Sequence, residues 1–275
     1  MSAPTIPLNN GRTISQIGLG TSPLNDKQIA PLVVAAIDAG YRHIDTAYRY
    51  NNERGVGQGI HDSGIDRESL FVTTKLDGQF QGNDRAIEGL DESLRRLGLD
   101  YVDLLLIHWP LPQRDEYIST WKTFEKLVAA GKARSIGLSN FKPAHIDRLL
   151  AEASIRPTIN QIQLNPRTTR TEQHDYNTEK GIVTEAWSPL GAGNDLLKNP
   201  TLATIAEKYE KTPGQVVLRW HIELGIVAIP RSSSPSRIAE NIDIFDFALT
   251  HDEIAAISAL DTGDEPGVDS DKTGH

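Results

Sequence analysis

Tyr101-Val102-Asp103-Leu104-Leu105-Leu106-Ile107-His108 is an almost unbroken apolar run that stops on an imidazole. A strand wetted on one face alternates polar and apolar residues, whereas a strand of a parallel sheet covered on both faces is apolar throughout. The run before it, Leu70-Phe71-Val72-Thr73-Thr74-Lys75, stops on an ammonium, and the one before that, His43-Ile44-Asp45, on a carboxylate. Working outward in both directions, eight such runs end in chain order at Thr21, Asp45, Lys75, His108, Asn140, Gln161, Ser188 and Arg231. Helix-like segments separate most of them. Eight strand–helix units with reactive or polar groups at the strand C-termini describe an α/β fold of the (β/α)8 TIM-barrel type, whose active site lies on that face.

The connecting segments fit this frame. Asn9-Asn10-Gly11 between the extended runs Ile6–Leu8 and Thr13–Ser15 predicts an N-terminal β-hairpin over the barrel bottom. Ile29, Leu32, Val33, Ala36 and Ile37 follow helical spacing, and Pro31 predicts a late or irregular start to that helix. Further helices are expected over Asp84–Leu97, over Tyr117–Ala130, and from Pro143 to near Ala153. Extra helical material, Asn194–Leu224, precedes the last strand, with Thr212-Pro213 as cap and first turn. Ser234 before Pro235, and Thr250 with Glu253 three residues on, open two more helices near the C-terminus. The tail from Asp261, rich in Asp and Gly, is expected to be mobile. No linker or readable repeat intervenes, so residues 1–275 are read as one domain.

Composition narrows the chemistry. A net charge of −9 and a pI of about 5.4 argue against nucleic acid or an anionic membrane as main partner. The chain has no cysteine, which excludes disulfides, thiolate catalysis and cysteine-based metal sites. The N-terminus lacks the basic and apolar regions of a signal peptide, and no apolar run is long enough to span a bilayer. A cytoplasmic monomer acting on a small molecule is expected.

Asp45, Tyr50, Lys75 and His108 are the group that needs an explanation. A phenol has a pKa of about 10. A neighbouring ammonium favours the phenolate and so makes the phenol a better proton donor. A carboxylate beside that ammonium holds it charged and oriented, and an imidazole can polarise a carbonyl oxygen. Together they form a proton-donating site for a developing alkoxide. No nucleophile carries a paired base, so covalent catalysis is not indicated. Singly, each residue has a plainer reading: Asp45 as a cap, Tyr50 as a packing aromatic, His108 as a satisfied strand-end histidine, Lys75 as half of an ion pair. They gain weight jointly, because the barrel brings all four strand ends to one face. Arg231 and Arg237 flank the triplet Ser232-Ser233-Ser234 where a strand runs into a helix that carries Glu240 and Asn241. Helix-start amides and two guanidiniums suit a phosphate, though a solvated helix start reads the same way. Trp187 can stack on a ring or simply pack, and Ser139, Asn140 and Gln161 can hydrogen-bond a carboxamide or satisfy loop backbone. There is no Gly-x-Gly-x-x-Gly after a strand and no P-loop. His43, Asp45, His61 and His108 show no ligand spacing, so no metal is expected.

These groups together resemble the aldo-keto reductase superfamily. Gly40-Tyr41-Arg42-His43-Ile44-Asp45-Thr46-Ala47 with Tyr50, Glu53 and Gly57 is similar to its first signature. Ile136-Gly137-Leu138-Ser139-Asn140-Phe141 is similar to the second. Ile229-Pro230-Arg231-Ser232 with Arg237, Glu240 and Asn241 is similar to the third. Length and the Leu-Ile-His-Trp-Pro run resemble most the short bacterial branch that includes 2,5-diketo-D-gluconate reductases. The resemblance implies a barrel that binds NADPH (NADP+) in an extended pose and reduces aldehydes, ketones or dicarbonyls. It implies Tyr50 as general acid, tuned by Lys75 and Asp45, with His108 orienting the carbonyl. Trp187 would stack on the nicotinamide; Ser139, Asn140 and Gln161 would hold its carboxamide. Gly20 and Thr21 would lie along the cofactor, and Ser188, Leu190 and Gly191 at the pyrophosphate. Arg231, Ser232, Ser233 and Arg237 would take the 2′-phosphate, and Glu240 and Asn241 the adenine.

Three positions depart from the family pattern. Arg231 stands where Lys is frequent, Ser22 where an aromatic follows Gly-Leu-Gly-Thr, and Asp77 where Trp follows Lys-Leu. Ser22 and Asp77 imply a wider, more polar substrate pocket, with Trp109 as its main aromatic wall. The alternative to an enzyme is a non-catalytic NADP(H)-sensing subunit on the same barrel.

Overall fold

The computed structural model describes residues 3–191, 193, 195–263 and 269–274. The chain opens with an antiparallel hairpin, β1 (Thr5–Pro7) and β2 (Thr13–Ser15), with Ile6 opposite Ile14. Gly11 turns it in the left-handed region, at φ +81°. Leu8 and Ile14 pack with the barrel residues Leu104, Leu106, Ile159 and Val227, and Asn9 Nδ2 donates to the carbonyls of Pro157 and Gly181. The hairpin therefore plugs the bottom of the barrel.

The barrel follows as β3 (Leu19–Gly20), α1 (Asp26–Asp38), β4 (His43–Asp45), α2 (Glu53–Asp62), β5 (Phe71–Leu76), α3 (Arg85–Leu97), β6 (Val102–Ile107), α4 (Tyr117–Ala129), β7 (Ala133–Ser139), α5 (Pro143–Leu150), β8 (Ile159–Gln163), α6 (Thr171–Glu179), β9 (Val183–Trp187), α7 (Pro200–Lys208), α8 (Pro213–Glu223), β10 (Val227–Ile229), α9 (Pro235–Ile242) and α10 (His251–Ser258). Strands β3 to β10 pair in chain order, all parallel. Parallel bridges from Ile17 to Ala228 and from Gly20 to Arg231 close the seam. A Cβ at Gly20 would stand 2.8 Å from the Ile229 carbonyl oxygen, so the seam closes over a glycine.

Side chains alternate inward and outward along each strand. Nearest the hairpin the interior is apolar. Toward the strand C-termini it carries His43, Asp45, Thr73, Lys75, Gln161 and Glu185, all buried. Asp45 lies opposite Thr73, Lys75 opposite Leu106, and Gln161 opposite Glu185. Outward faces pack against the helices. Extra helices α7, α8 and α10 enclose a second cluster around Leu202, Val216, Trp220 and Ile257.

Several local expectations change. α1 begins at Asp26 without irregularity, because Asn25 and Gln28 cap each other reciprocally. Pro31 forgoes one helical bond on the exposed side. Ser234 stands at the cap of α9, but its hydroxyl pairs with Ser236 Oγ at 2.7 Å and caps nothing. Helix α2 was not anticipated. Its glycines let it sit against its neighbours: a Cβ at Gly55 would lie 2.3 Å from Asp26 O, at Gly57 2.0 Å from Leu97 O, and at Gly59 2.5 Å from Ala30 O. The tail is tethered rather than free where it is described. Asp261 accepts from Thr169, Asp269 and Asp271 pair with Lys142, and Asp271 lies 2.8 Å from His145 Nε2. Residues 264–268 of that tail lie outside the described residues. Among the described residues, no helix is long and apolar enough to cross a membrane.

Candidate active site

Lys75 projects from the end of β5 into a ring of acceptors. Its Nζ lies 2.5 Å from Asp45 Oδ1, 3.0 Å from the Thr46 carbonyl and 3.3 Å from Tyr50 Oη. These three contacts use the three protons of the ammonium. Burial works against the Lys75 charge, but Asp45 and Tyr50 override it, and its pKa stands above the usual lysine range. Burial raises the Asp45 carboxyl against the pull of Lys75 and Gln161. Tyr50 sits in a short 3-10 turn, Tyr48–Tyr50, between β4 and α2. Burial raises its phenol above the ordinary range, and Lys75 pulls it back. The lysine acts in the expected direction, yet burial outweighs it, so the phenol keeps its proton at neutral pH. The Tyr50 and His108 rings meet edge to face at 5.7 Å, and Trp109 stacks on His108 at 6.4 Å.

A second set of contacts runs along the same rim. The Trp187 indole donates from Nε1 to Asn140 Oδ1 at 2.9 Å, and Asn140 Nδ2 donates to the His108 carbonyl and Ser139 Oγ, each at 3.1 Å. Asn140 and Ser188 hold positive φ, at 63° and 52°. Gln161 Nε2 donates to Asp45 Oδ2 at 2.8 Å and to Glu185 Oε2 at 2.9 Å.

Most of these groups open on one cavity of about 520 Å3 at the C-terminal face. It is lined by the predicted Gly20, Thr21, Ser22, Asp45, Tyr50, His108, Trp109, Ser139, Asn140, Gln161, Trp187, Ser188, Leu190, Arg231, Ser232, Ser233 and Arg237. Lys75 lies just beneath, reached through Tyr50 and Asp45. Four predicted positions besides Lys75 do not line it. Asp77 is 2% exposed and folds back to accept from Gln79 N at 3.1 Å, with Arg49 3.8 Å away, because its short side chain caps the turn Gly78–Phe80. Its carboxylate does not face the cavity as its sequence position implied. Gly191 gives its amide to the Ser188 carbonyl, Glu240 accepts from Thr212 Oγ1 at 2.8 Å, and Asn241 lies on the buried side of α9. Sequence reasoning missed Pro23, Gly193 and Leu197 on the wall, and the buried pair His43 and Glu185 beneath it. Glu185 had a usable signal: it stands two residues before Trp187, on the same inward face.

The lining suits a large anionic cofactor with a flat end. Thr21 Oγ1 is buried without a partner, Arg231 and Arg237 present exposed guanidiniums, and Trp187 offers a ring pinned by its indole nitrogen. His43, Asp45 and Glu185 offer ligand atoms within 4.8 Å of one another, a proximity that spacing along the chain did not reveal. The Lys75 ammonium already supplies the positive charge at the Asp45 end of that group.

The sequence pattern of the aldo/keto reductase family matches residues 14–262. The chain belongs to the aldo-keto reductase family. An aldo-keto reductase of Mycolicibacterium smegmatis is 48% identical over 269 residues, covering 97% of each chain. The methylglyoxal reductase DkgA of Escherichia coli is 42% identical over 276 residues, covering all of both. Among solved structures, a Bombyx mori aldo-keto reductase in complex with NADP superposes with a TM-score of 0.90 at 41% identity, over 96% of this chain and 95% of that one. Family membership makes the chain an oxidoreductase on a TIM barrel, and it favours the catalytic reading of the site over a sensing subunit.

Proposed function

We propose that this aldo-keto reductase reduces small aldehydes, ketones and dicarbonyls to alcohols, with Tyr50 as the proton donor. The cofactor is NADP(H), which supplies the hydride when bound. The observation that carries the reading is Tyr50 Oη lying 3.3 Å from an ammonium locked by Asp45, with both Tyr50 and His108 opening on the one cavity. A carbonyl oxygen held between Tyr50 and His108 receives the phenolic proton as its carbon is reduced. Lys75 then stabilises the phenolate until water returns the proton. Trp187 gives the nicotinamide a face to stack on, and the Ser139, Asn140 and Gln161 side chains meet its carboxamide. Arg231 and Arg237 hold the 2′-phosphate, with Ser232 and Ser233 beside them.

A merely sensing protein has no use for a three-way Lys75 contact aimed at a phenol. The chain works as one domain and as a monomer in the cytoplasm. The reading is tested by following loss of NADPH absorbance with a panel of aldehydes and α-dicarbonyls, methylglyoxal included. Turnover with at least one is expected. NADPH binding with no turnover on any member of the panel would return the chain to the sensor reading.

A further inference from the structure

Glu185 is a buried carboxyl that the reduction does not use. It sits on the inner face of β9 with no accessible surface and, among the described residues, no ion-pair partner except His43. The three contacts of Lys75 go to Asp45, Thr46 and Tyr50. His43 Nε2 lies 3.6 Å away but stays neutral, its pKa driven down to about 3 by burial and by Lys75. Glu185 Oε1 has no hydrogen-bond partner. A carboxyl placed this way is costly, and apolar or hydroxyl side chains would fill the space at less cost. What Glu185 does have is one short contact: Oε2 accepts from Gln161 Nε2 at 2.9 Å, while the other proton of that amide goes to Asp45 Oδ2 at 2.8 Å.

We propose that Glu185 is a positioning residue that locks the Gln161 amide, so that its carbonyl oxygen and not its NH2 group faces the nicotinamide carboxamide. An amide nitrogen has two protons, and here both are taken below the cavity floor. The oxygen is what remains, and it is the atom that can accept from a carboxamide N–H. Asp45 alone would hold one proton and leave the other free to swing upward. With Glu185 the amide has two anchors and one orientation. The inference rests on the reading of Gln161 as the carboxamide's partner.

The charge balance of the floor gives a second readout. The groups facing Glu185 are Asp45 and His43 from β4, Lys75 from β5, Gln161 from β8, and Tyr50 beyond Lys75. With His43 neutral, two carboxyls share one ammonium. Glu185 relieves the excess by keeping a proton, burial and Asp45 pushing its pKa up to about 8. Above that pH it ionises and adds negative charge beside Tyr50, which makes the phenol a weaker acid.

The test measures dissociation constants for NADPH and for adenosine 2′,5′-bisphosphate, which carries the phosphate end but no nicotinamide. Wild type is compared with Glu185→Leu, Glu185→Gln, Gln161→Ala and the double variant Glu185→Leu/Gln161→Ala. Glu185→Leu should weaken NADPH about fivefold, the loss of one hydrogen bond, and leave the bisphosphate unchanged. In the Gln161→Ala background the same change should do nothing further. Glu185→Gln keeps an acceptor but cannot ionise. It should restore NADPH affinity to within about twofold and move the fall of kcat/KM above pH of about 8 to more alkaline pH. Wild-type NADPH affinity in Glu185→Leu would overturn the proposal. So would an unchanged alkaline limb in Glu185→Gln, an undiminished effect in the Gln161→Ala background, or a parallel loss of bisphosphate binding, which would make Glu185 a residue of the fold. If Gln161→Ala itself leaves NADPH binding intact, the carboxamide reading fails first, and the proposal with it.

Discussion

Trp187 and Asn140 are joined through the indole nitrogen, Nε1 donating to Oδ1 at 2.9 Å, and Asn140 passes the constraint on to the His108 carbonyl. The Trp187 ring, proposed to face the cofactor, and His108, proposed to face the substrate, thus share one side chain as a strut. Asn140→Ala should loosen both at once. NADPH affinity is expected to fall about tenfold, and the quenching of Trp187 fluorescence on binding should weaken. Trp187→Phe keeps a ring but loses the donor, and should fall between. An Asn140→Ala enzyme with wild-type NADPH affinity would show that the strut is idle.

Tyr50→Phe removes the hydroxyl and keeps the ring against His108. Carbonyl reduction should drop by roughly 10²–10⁴-fold, the usual contribution of a positioned acid, while NADPH binding stays within about twofold. Stopped-flow measurement of hydride transfer separates the two. Turnover near wild type would remove Tyr50 from the reaction.

Lys75→Met strips the ammonium from between the Asp45 carboxyl and the Tyr50 phenol. Breaking a buried pair costs about 3–5 kcal/mol, so both activity and the urea midpoint should fall. Asp45→Asn should be milder. With Asp45 neutral, the push that keeps Glu185 protonated is reduced, and Glu185 can supply the missing negative charge. If Asp45→Asn is the more damaging change, the order of dependence is reversed.

Cofactor choice should rest on Arg231 and Arg237. Charge-assisted hydrogen bonds contribute about 1.5–3 kcal/mol each, so two of them favour NADPH over NADH by about two to four decades. Arg231→Gly with Arg237→His should collapse that preference by weakening NADPH, and added salt should weaken NADPH more than NADH. Titration of both cofactors against both proteins decides it. A double variant that keeps its preference places the phosphate site elsewhere.

Stability should peak near neutrality. Burial lowers His43 to about 3 and His221 to about 4, from about 6.5 unfolded, so below that pH the unfolded chain binds more protons and folding weakens. Glu185 runs the other way: at about 8 folded against about 4.3 unfolded, it binds its proton in the native state and costs stability as pH rises between them. From pH of about 4.5 to 6.5 the histidines, His145 and His174 also lowered by burial, make stability rise with pH against the raised carboxyls Glu185, Asp45 and Glu53; from about 6.5 to 8 the histidines no longer oppose Glu185, whose share of the fall is about 1.4 kcal/mol per unit. Urea midpoints across this range should trace that maximum in wild type. Glu185→Gln should flatten the alkaline side, and a wild-type curve still rising to pH of about 8 would contradict the assignment.

What could be read in the sequence was whatever lies at a strand end. Thr21, Asp45, Lys75, His108, Asn140, Gln161, Ser188 and Arg231 mark the closed barrel because an inward C-terminal residue is polar only where the barrel opens. What could not be read depended on distance along the chain or on the absence of side chains. Helix α2 hid because Gly55, Gly57 and Gly59 dilute the apolar period that announces a helix. Asp77 was placed by its family position, but it turns back to serve its own backbone. The tethering of Asp269 and Asp271 needs Lys142 and His145, far away in sequence, and composition alone reads such a tail as loose. His43 and Glu185 are adjacent only once the barrel closes.

The glycines of α2 set a manufacturing tolerance. The turn that carries Tyr50 runs straight into this helix, and Asn52 between them is tied to the carbonyls of Thr21 and Leu24. On the far side Gly57 rests on the backbone of Leu97, which cannot swing aside as a side chain would. The depth at which α2 seats is therefore the reference from which the phenol is gauged. A single methyl there would be felt as a positional error at the Tyr50 hydroxyl, so the accuracy of the proposed proton donor is machined into a helix that gives the cavity wall no residue.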